Sequence, residues 1–460
     1  MVDEAVQNQP DNEAPPEVPA FNGDSTENDD SSNSAVETTM PPHQQQRQRR
    51  RTNSDDRLTD SMFFLCGIGS SICYIATLSS VVYFEMQYGA NSFVYLNLAV
   101  YFPLVPIALA QARYDQEYDR QFGSFSTFLV RGVVGFGLSI VGTLMILLIS
   151  SGMVPLIVAA LLQGIGGSIL LGTFNQMASF VSSASSSSGR LKAAVAAGVQ
   201  ASALVVLALT LITGFGSSGS PEMLRMFFGS VVVLEGVCFG VFLLLINYRS
   251  SVTASLLQRD NSMDMYSSVP LLDDQAETSE GPIEIASPPR SELSFQELWN
   301  ETKDCCFILV ITLIPSFLIG SWFTHVKTNW MVLPQMLFYT RIGADFLGRL
   351  ATIVIPPTSI QTLSQKSLLR LIPVAIFFFN ASGIPTPSNI SDGLSVILVA
   401  IIAFLSGYLV TGCFQLAPLQ LSDELRQSNA AKQASLLNVA FALAAFSGLM
   451  SSFSLVAFGF

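Results

Sequence analysis

Four ionisable residues stand inside stretches that are otherwise apolar: Arg131, Glu235, Asp345 and Arg349. A charged side chain at membrane depth costs about 2.5–3.5 kcal/mol even on the mildest scales, so each needs a partner or a task. Asp345 and Arg349 are four residues apart and share one helix face. They suit either an ion pair that locks helices together or the polar floor of a substrate cavity. Arg131 lies near the start of its own apolar stretch, at a depth where it can approach Asp345, and reads as an inner-gate partner or a helix-locking charge. Glu235 lies mid-stretch. It is either a neutral or arginine-paired structural carboxyl, or a proton-coupling site.

Other chemistry has little support. No nucleophile–base set, HExxH or phosphate-cradling loop occurs, and the only histidines are His43 and His325. The six cysteines all fall in apolar stretches and none forms a CxxC, so neither a metal site nor a disulfide framework is expected. Neither an enzymatic role nor a cofactor is expected.

The elements that must position these charges are long and apolar. Half of the 460 residues are hydrophobic and only 12% are charged, about half the share usual for a soluble domain. The net charge of −12 is unevenly placed: thirteen of the 34 acids lie in residues 1–60 and ten more in 247–302. Both segments are polar and Ser-rich and read as disordered. An acidic chain also lacks the basic footprint that nucleic-acid binding requires.

Between these segments, runs of membrane-spanning length recur. Eleven are readable: 62–84, 92–112, 127–149, 154–181, 191–214, 223–246, 304–323, 330–354, 368–386, 393–416 and 430–456. With the N-terminus cytoplasmic, the inner loops hold Arg113, Arg120, Arg190, Lys192, Lys366, Arg370, Arg426 and Lys432, while the outer loops hold essentially Lys327. This asymmetry satisfies the positive-inside rule. It places the sequon at Asn389 in an outer loop, as a glycosylation candidate. The resulting organisation is a cytoplasmic tail (1–60), spans one to six (61–246), a cytoplasmic loop (247–302) and spans seven to eleven (303–460).

Several local patterns, taken in order, resemble the equilibrative nucleoside transporter family. Asp345-Phe-Leu-Gly348-Arg349 is similar to its eighth-span D-x-x-G-R. Arg131 in Leu-Val-Arg-Gly is similar to its third-span arginine. Ser406-Gly407-Tyr408-Leu409 followed by Ala417-Pro418 is similar to its tenth-span motif, and Arg370 to Asn380 resembles its ninth helix. The resemblance covers about 62–460. It implies that Asp345 and Arg349 contact ribose hydroxyls, a carboxylate accepting and a guanidinium donating, both strengthened where water is excluded.

Elsewhere the pattern departs. The first-helix Pro-Trp-Asn of the family corresponds to Cys73-Tyr74-Ile75, which leaves Tyr74 as the aromatic platform. The base-reading glutamine corresponds to Leu171, with Asn175 and Gln176 one turn on. The ribose end is kept and the base end is changed.

The expectation is an all-α polytopic membrane protein with eleven transmembrane helices in a major-facilitator-like 6+5 arrangement. It would transport nucleosides or nucleobases by alternating access, as a monomer in the lipid bilayer of the plasma membrane. Two alternatives remain: a carrier of a vitamin or sugar-like solute on the same fold, and a non-transporting regulatory membrane protein.

Overall fold

The computed structural model describes residues 57–89, 92–148, 152–184, 190–215, 220–248, 252–253, 293–323, 326, 333–381 and 388–457. The disordered tail expected over 1–60 falls almost wholly outside the described residues, as does most of the disordered loop expected over 247–302, but the end of that loop, 295–302, is helical.

Everything described is helical or a short connection. Such apolar sequence has one good solution at membrane depth, because a helix satisfies its backbone groups within its own segment. The first apolar stretch forms α1 (Arg57–Gly69) and α2 (Ile72–Ser79), bent by 43° at Ser70–Ser71, followed by α3 (Val81–Tyr88). The second is split into α4 (Ser92–Tyr101) and α5 (Leu104–Phe122), with Pro103 at the break, where its missing N–H and ring interrupt the helix. Then come α6 (Ser124–Leu148), α7 (Met153–Ala184), α8 (Arg190–Thr213) and α9 (Pro221–Tyr248).

The second half comprises α10 (Phe295–Trp322), α11 (Leu333–Val354), α12 (Ile360–Leu369), α13 (Leu371–Ala381), α14 (Ser388–Leu416) and α15 (Asp423–Ala457). Helix α10 starts nine residues earlier than hydropathy alone suggested. Ser294 caps it: its hydroxyl accepts from the Glu297 N–H at 3.3 Å, and its own N–H donates to Glu297 Oε2 at 2.9 Å. This capping box is written in the sequence as Ser-Phe-Gln-Glu. Asn389, expected in a loop, stands in the first turn of α14.

Among the described residues, nine helices are long and apolar enough to cross a membrane, or ten if the bent pair α1–α2 counts as one. Helix α11 has the length, at 22 residues, but not the apolarity, because it carries Arg341, Asp345 and Arg349. The expected eighth span is therefore the element that concentrates charge. Apolar side chains on the outside of the bundle, such as Val233, Phe307 and Phe379, are exposed, as they would be against lipid.

The buried core divides by half. Phe136, Phe174, Phe239 and Phe242 pack ring against ring within the first half. Leu309, Leu409, Leu437 and Ala445 anchor the second. The halves meet where α8 packs on α11 and α14, and where α15 packs on α5 and α7.

Candidate functional site

A cavity of about 180 Å³ lies along this seam and is lined from both halves. The first half contributes Tyr74 on α2, Tyr101 on α4, Leu171 and Asn175 on α7, and Lys192 on α8. The second contributes Phe317 on α10, Arg341, Asp345 and Arg349 on α11, Ser406 on α14, and Asn438 on α15.

The expected pair is formed. Arg349 Nε donates to Asp345 Oδ2 at 2.9 Å, with both side chains largely buried. Arg349 Nη1 also donates to the carbonyl of Ala196 on α8 at 3.3 Å. Two glycines set the position of this pair. A Cβ on Gly348 would stand 3.0 Å from the Tyr408 nitrogen, and a Cβ on Gly407 would stand 2.9 Å from the Asp345 carbonyl carbon. So α11 and α14 cross backbone to backbone, as small residues permit, and this fixes the turn that carries Asp345 and Arg349.

Tyr74 lines the cavity and meets Tyr101 edge-on at 6.1 Å. Tyr101 in turn meets Phe317 at 5.3 Å, and the Arg341 guanidinium lies 5.6 Å from the Phe317 ring centre. The platform expected of Tyr74 alone is a wall of three rings ending in a cation. Just behind it, the bend at Ser70–Ser71 is stitched to α8. The Ser71 hydroxyl is 3.0 Å from the Val199 carbonyl and 2.9 Å from the Ser202 hydroxyl.

Arg131 is not beside Asp345. It pairs with Asp115 on α5 at 2.6 Å and donates to Gln176 Oε1 at 3.1 Å. The Gln176 amide donates to Asp115 and also, at 2.8 Å, to Ser435 on α15. The preceding residue, Asn175, donates to Asn438, about one turn along α15 from Ser435, at 3.0 Å. The two halves are thus tied at the edge of the cavity by α7–α15 bonds, and Arg131 braces the first-half side of that tie. Glu235 is not in the cavity lining either. It is fully buried, neither carboxyl oxygen has a hydrogen-bond partner among the described residues, and the thiols of Cys73 and Cys238 are near it.

Three cations were missed or misplaced by the sequence reading. Arg341 lies one turn before Asp345 and two before Arg349, a spacing that put it on their face in plain view. Lys192, counted as a loop charge, is buried two residues into α8 and lines the cavity. Arg370, also counted as a loop charge, is fully buried at the α12–α13 break. It donates to the carbonyls of Ile402 at 2.9 Å and Thr312 at 2.6 Å, and to the Ser316 hydroxyl.

No family model and no curated protein matches the chain. Solved structures do. The chain is similar to the major facilitator superfamily proton:xylose symporter XylE bound to 6-bromo-6-deoxy-D-glucose, at 10% identity and a TM-score of 0.54, over 87% of this chain and 89% of that one. It is also similar to the E. coli fucose:proton symporter FucP, at 14% identity and a TM-score of 0.48, over 88% and 92%. With the apolar helices, the first of these likenesses establishes an integral, multi-pass membrane protein of the major facilitator fold.

Proposed function

We propose that this protein is a membrane transporter. It carries a small, polyhydroxylated solute by alternating access and performs no bond-making chemistry. The observation that carries this reading is the central cavity, built jointly by both halves, with the Asp345–Arg349 pair facing it. A site shared across a seam closes and opens as the halves rock, so binding there is coupled to access. The α7–α15 ties between Gln176 and Ser435, and between Asn175 and Asn438, supply a gate, and Arg131 orients it through Asp115 and Gln176. The loop charges support a cytoplasmic position for that gate.

Within this reading, the span-eight signature supports nucleosides as the leading solute, with ribose at Asp345 and Arg349 and a flat ring against Tyr74 and Tyr101. A specific feature also supports a sugar-like solute. Leu171, an apolar side chain, faces the cavity where the resembled family places a base-reading glutamine, and the structurally similar XylE was solved with a bromodeoxyglucose. Uptake of labelled adenosine, uridine, xylose and glucose into proteoliposomes holding the purified protein tests the proposal. Uptake of one class that disappears with Asp345→Asn supports it. Failure of all four, with their phosphate esters also inert, would discard it.

A further inference from the structure

The charges of the cavity do not balance. Its lining holds three cations, Lys192, Arg341 and Arg349, against one carboxylate, Asp345. Arg349 takes that carboxylate at 2.9 Å. Lys192 is only 3% exposed and has neither an ion-pair nor a hydrogen-bond partner among the described residues. Arg341 has the Phe317 ring beside it, but no carboxylate within ion-pair range among the described residues. Behind Ser316, which also faces the cavity, Arg370 adds a further buried cation, held among the described residues by two carbonyls and a hydroxyl.

Two cations without an ion-pair partner in a largely apolar enclosure are costly to desolvate, and an anion bound in that enclosure offsets the cost. A neutral sugar or nucleoside gives no such return. The guanidinium fork and the ammonium are also the two groups that best hold phosphate oxygens.

We infer that the solute carried here is a phosphate monoester of a hydroxylated ring, its phosphate drawn into the cavity by the unbalanced charge of Lys192 and Arg341 and its hydroxyls met by Asp345 and Arg349. Such an ester carries a charge of about −1.5 to −2 at neutral pH, which matches the excess in the cavity. A carboxylate matches half of it. The inference rests on the transport reading above and specifies its substrate.

The test uses the purified full-length protein in detergent. Its thermal unfolding is followed with adenosine, AMP, glucose, glucose 6-phosphate, gluconate and inorganic phosphate, since a ligand of the folded state raises the midpoint. AMP or glucose 6-phosphate should stabilise the protein at least tenfold lower concentration than its neutral parent. That advantage should vanish in Lys192→Met and Arg341→Gln. Lys192→Arg keeps the charge and should keep the advantage, so a Met variant that merely misfolds does not decide the matter.

Neutral parents that bind as well as their esters would overturn the inference and leave the transport reading standing. Gluconate binding without the esters, or inorganic phosphate matching them, would overturn it too. Silence from every ligand, with no uptake into proteoliposomes, would sink both.

Discussion

Arg349 on α11 donates to the carbonyl of Ala196 on α8 across the seam between the halves, at 3.3 Å, while its Nε holds Asp345 on its own helix at 2.9 Å. One guanidinium therefore links the cavity-lining carboxylate to the seam between the halves. A rocking transition that separates α8 from α11 breaks the first bond and keeps the second. On the transport reading proposed above, binding at Asp345 is in this way mechanically connected to closure.

Asp345→Asn keeps the shape and removes the charge. The charge-assisted bond to Arg349, about 1.5–3 kcal/mol, becomes an ordinary one, and hydroxyl recognition weakens with it. Uptake should fall at least about tenfold while the protein still reaches the membrane. Arg349→Lys should lose nearly as much, because an ammonium cannot hold Asp345 and Ala196 together with one planar fork. Initial uptake rates normalised to surface protein check both. Wild-type rates in either variant would remove the pair from the site.

The crossing of α11 and α14 gives a stability prediction with a built-in control. A side chain at Gly407 meets the backbone of α11 directly, whereas a Cβ at Gly236 meets nothing within 4 Å. Gly407→Val should cost about 1–3 kcal/mol by overpacking, visible as a lower unfolding midpoint in detergent, with transport lost because Asp345 is displaced. Gly236→Ala should unfold at the wild-type midpoint or slightly above it. Equal midpoints for the two would show that the close approach does not matter.

The gate gives a conformational prediction. Gln176 to Ser435 is a single bond between the halves, worth about 1 kcal/mol net. Ser435→Ala should move the open–closed balance about fivefold toward the state in which α7 and α15 part. A cysteine introduced at Ser168, which faces the cavity, would then be labelled faster by a membrane-impermeant thiol reagent added from the gate side. Unchanged labelling would mean that the tie does not hold the gate.

The parts of this site that the sequence announces are those whose residue types are costly where they stand. Asp345 and Arg349 are legible because nothing apolar explains them. Gly348 and Gly407 are quoted by motif before any packing is known, and they turn out to face each other's helices. The partner of Arg131 was not legible. Asp115 lies beyond the apolar limit of its stretch at residue 112, and it joins the helix only because α5 runs on to Phe122. Lys192 was hidden for the same reason. A lysine two residues into a helix reads as a loop charge, and the helices packed around α8 bury it. Helix ends set by tertiary packing, rather than by hydropathy, thus concealed Lys192, one of the four charged residues that line the cavity, and the carboxylate that partners Arg131.

Glu235 is the remaining test of mechanism. It sits in α9 against Cys73, the neighbour of cavity-lining Tyr74, and its two oxygens have no hydrogen-bond partner among the described residues. A carboxyl in that place can serve transport by exchanging a proton each cycle. Its charge would then change the fit of α2, which carries the aromatic wall. If it does so, uptake into proteoliposomes should accelerate when the outside is made more acidic than the inside, and should collapse when the gradient is dissipated. Glu235→Gln has the same size and cannot exchange a proton. It should retain solute binding and passive exchange while losing the response to the gradient. Gradient-independent uptake in the wild type would assign Glu235 to packing, and the transporter to passive exchange. A response that survives Glu235→Gln would leave the proton with another group.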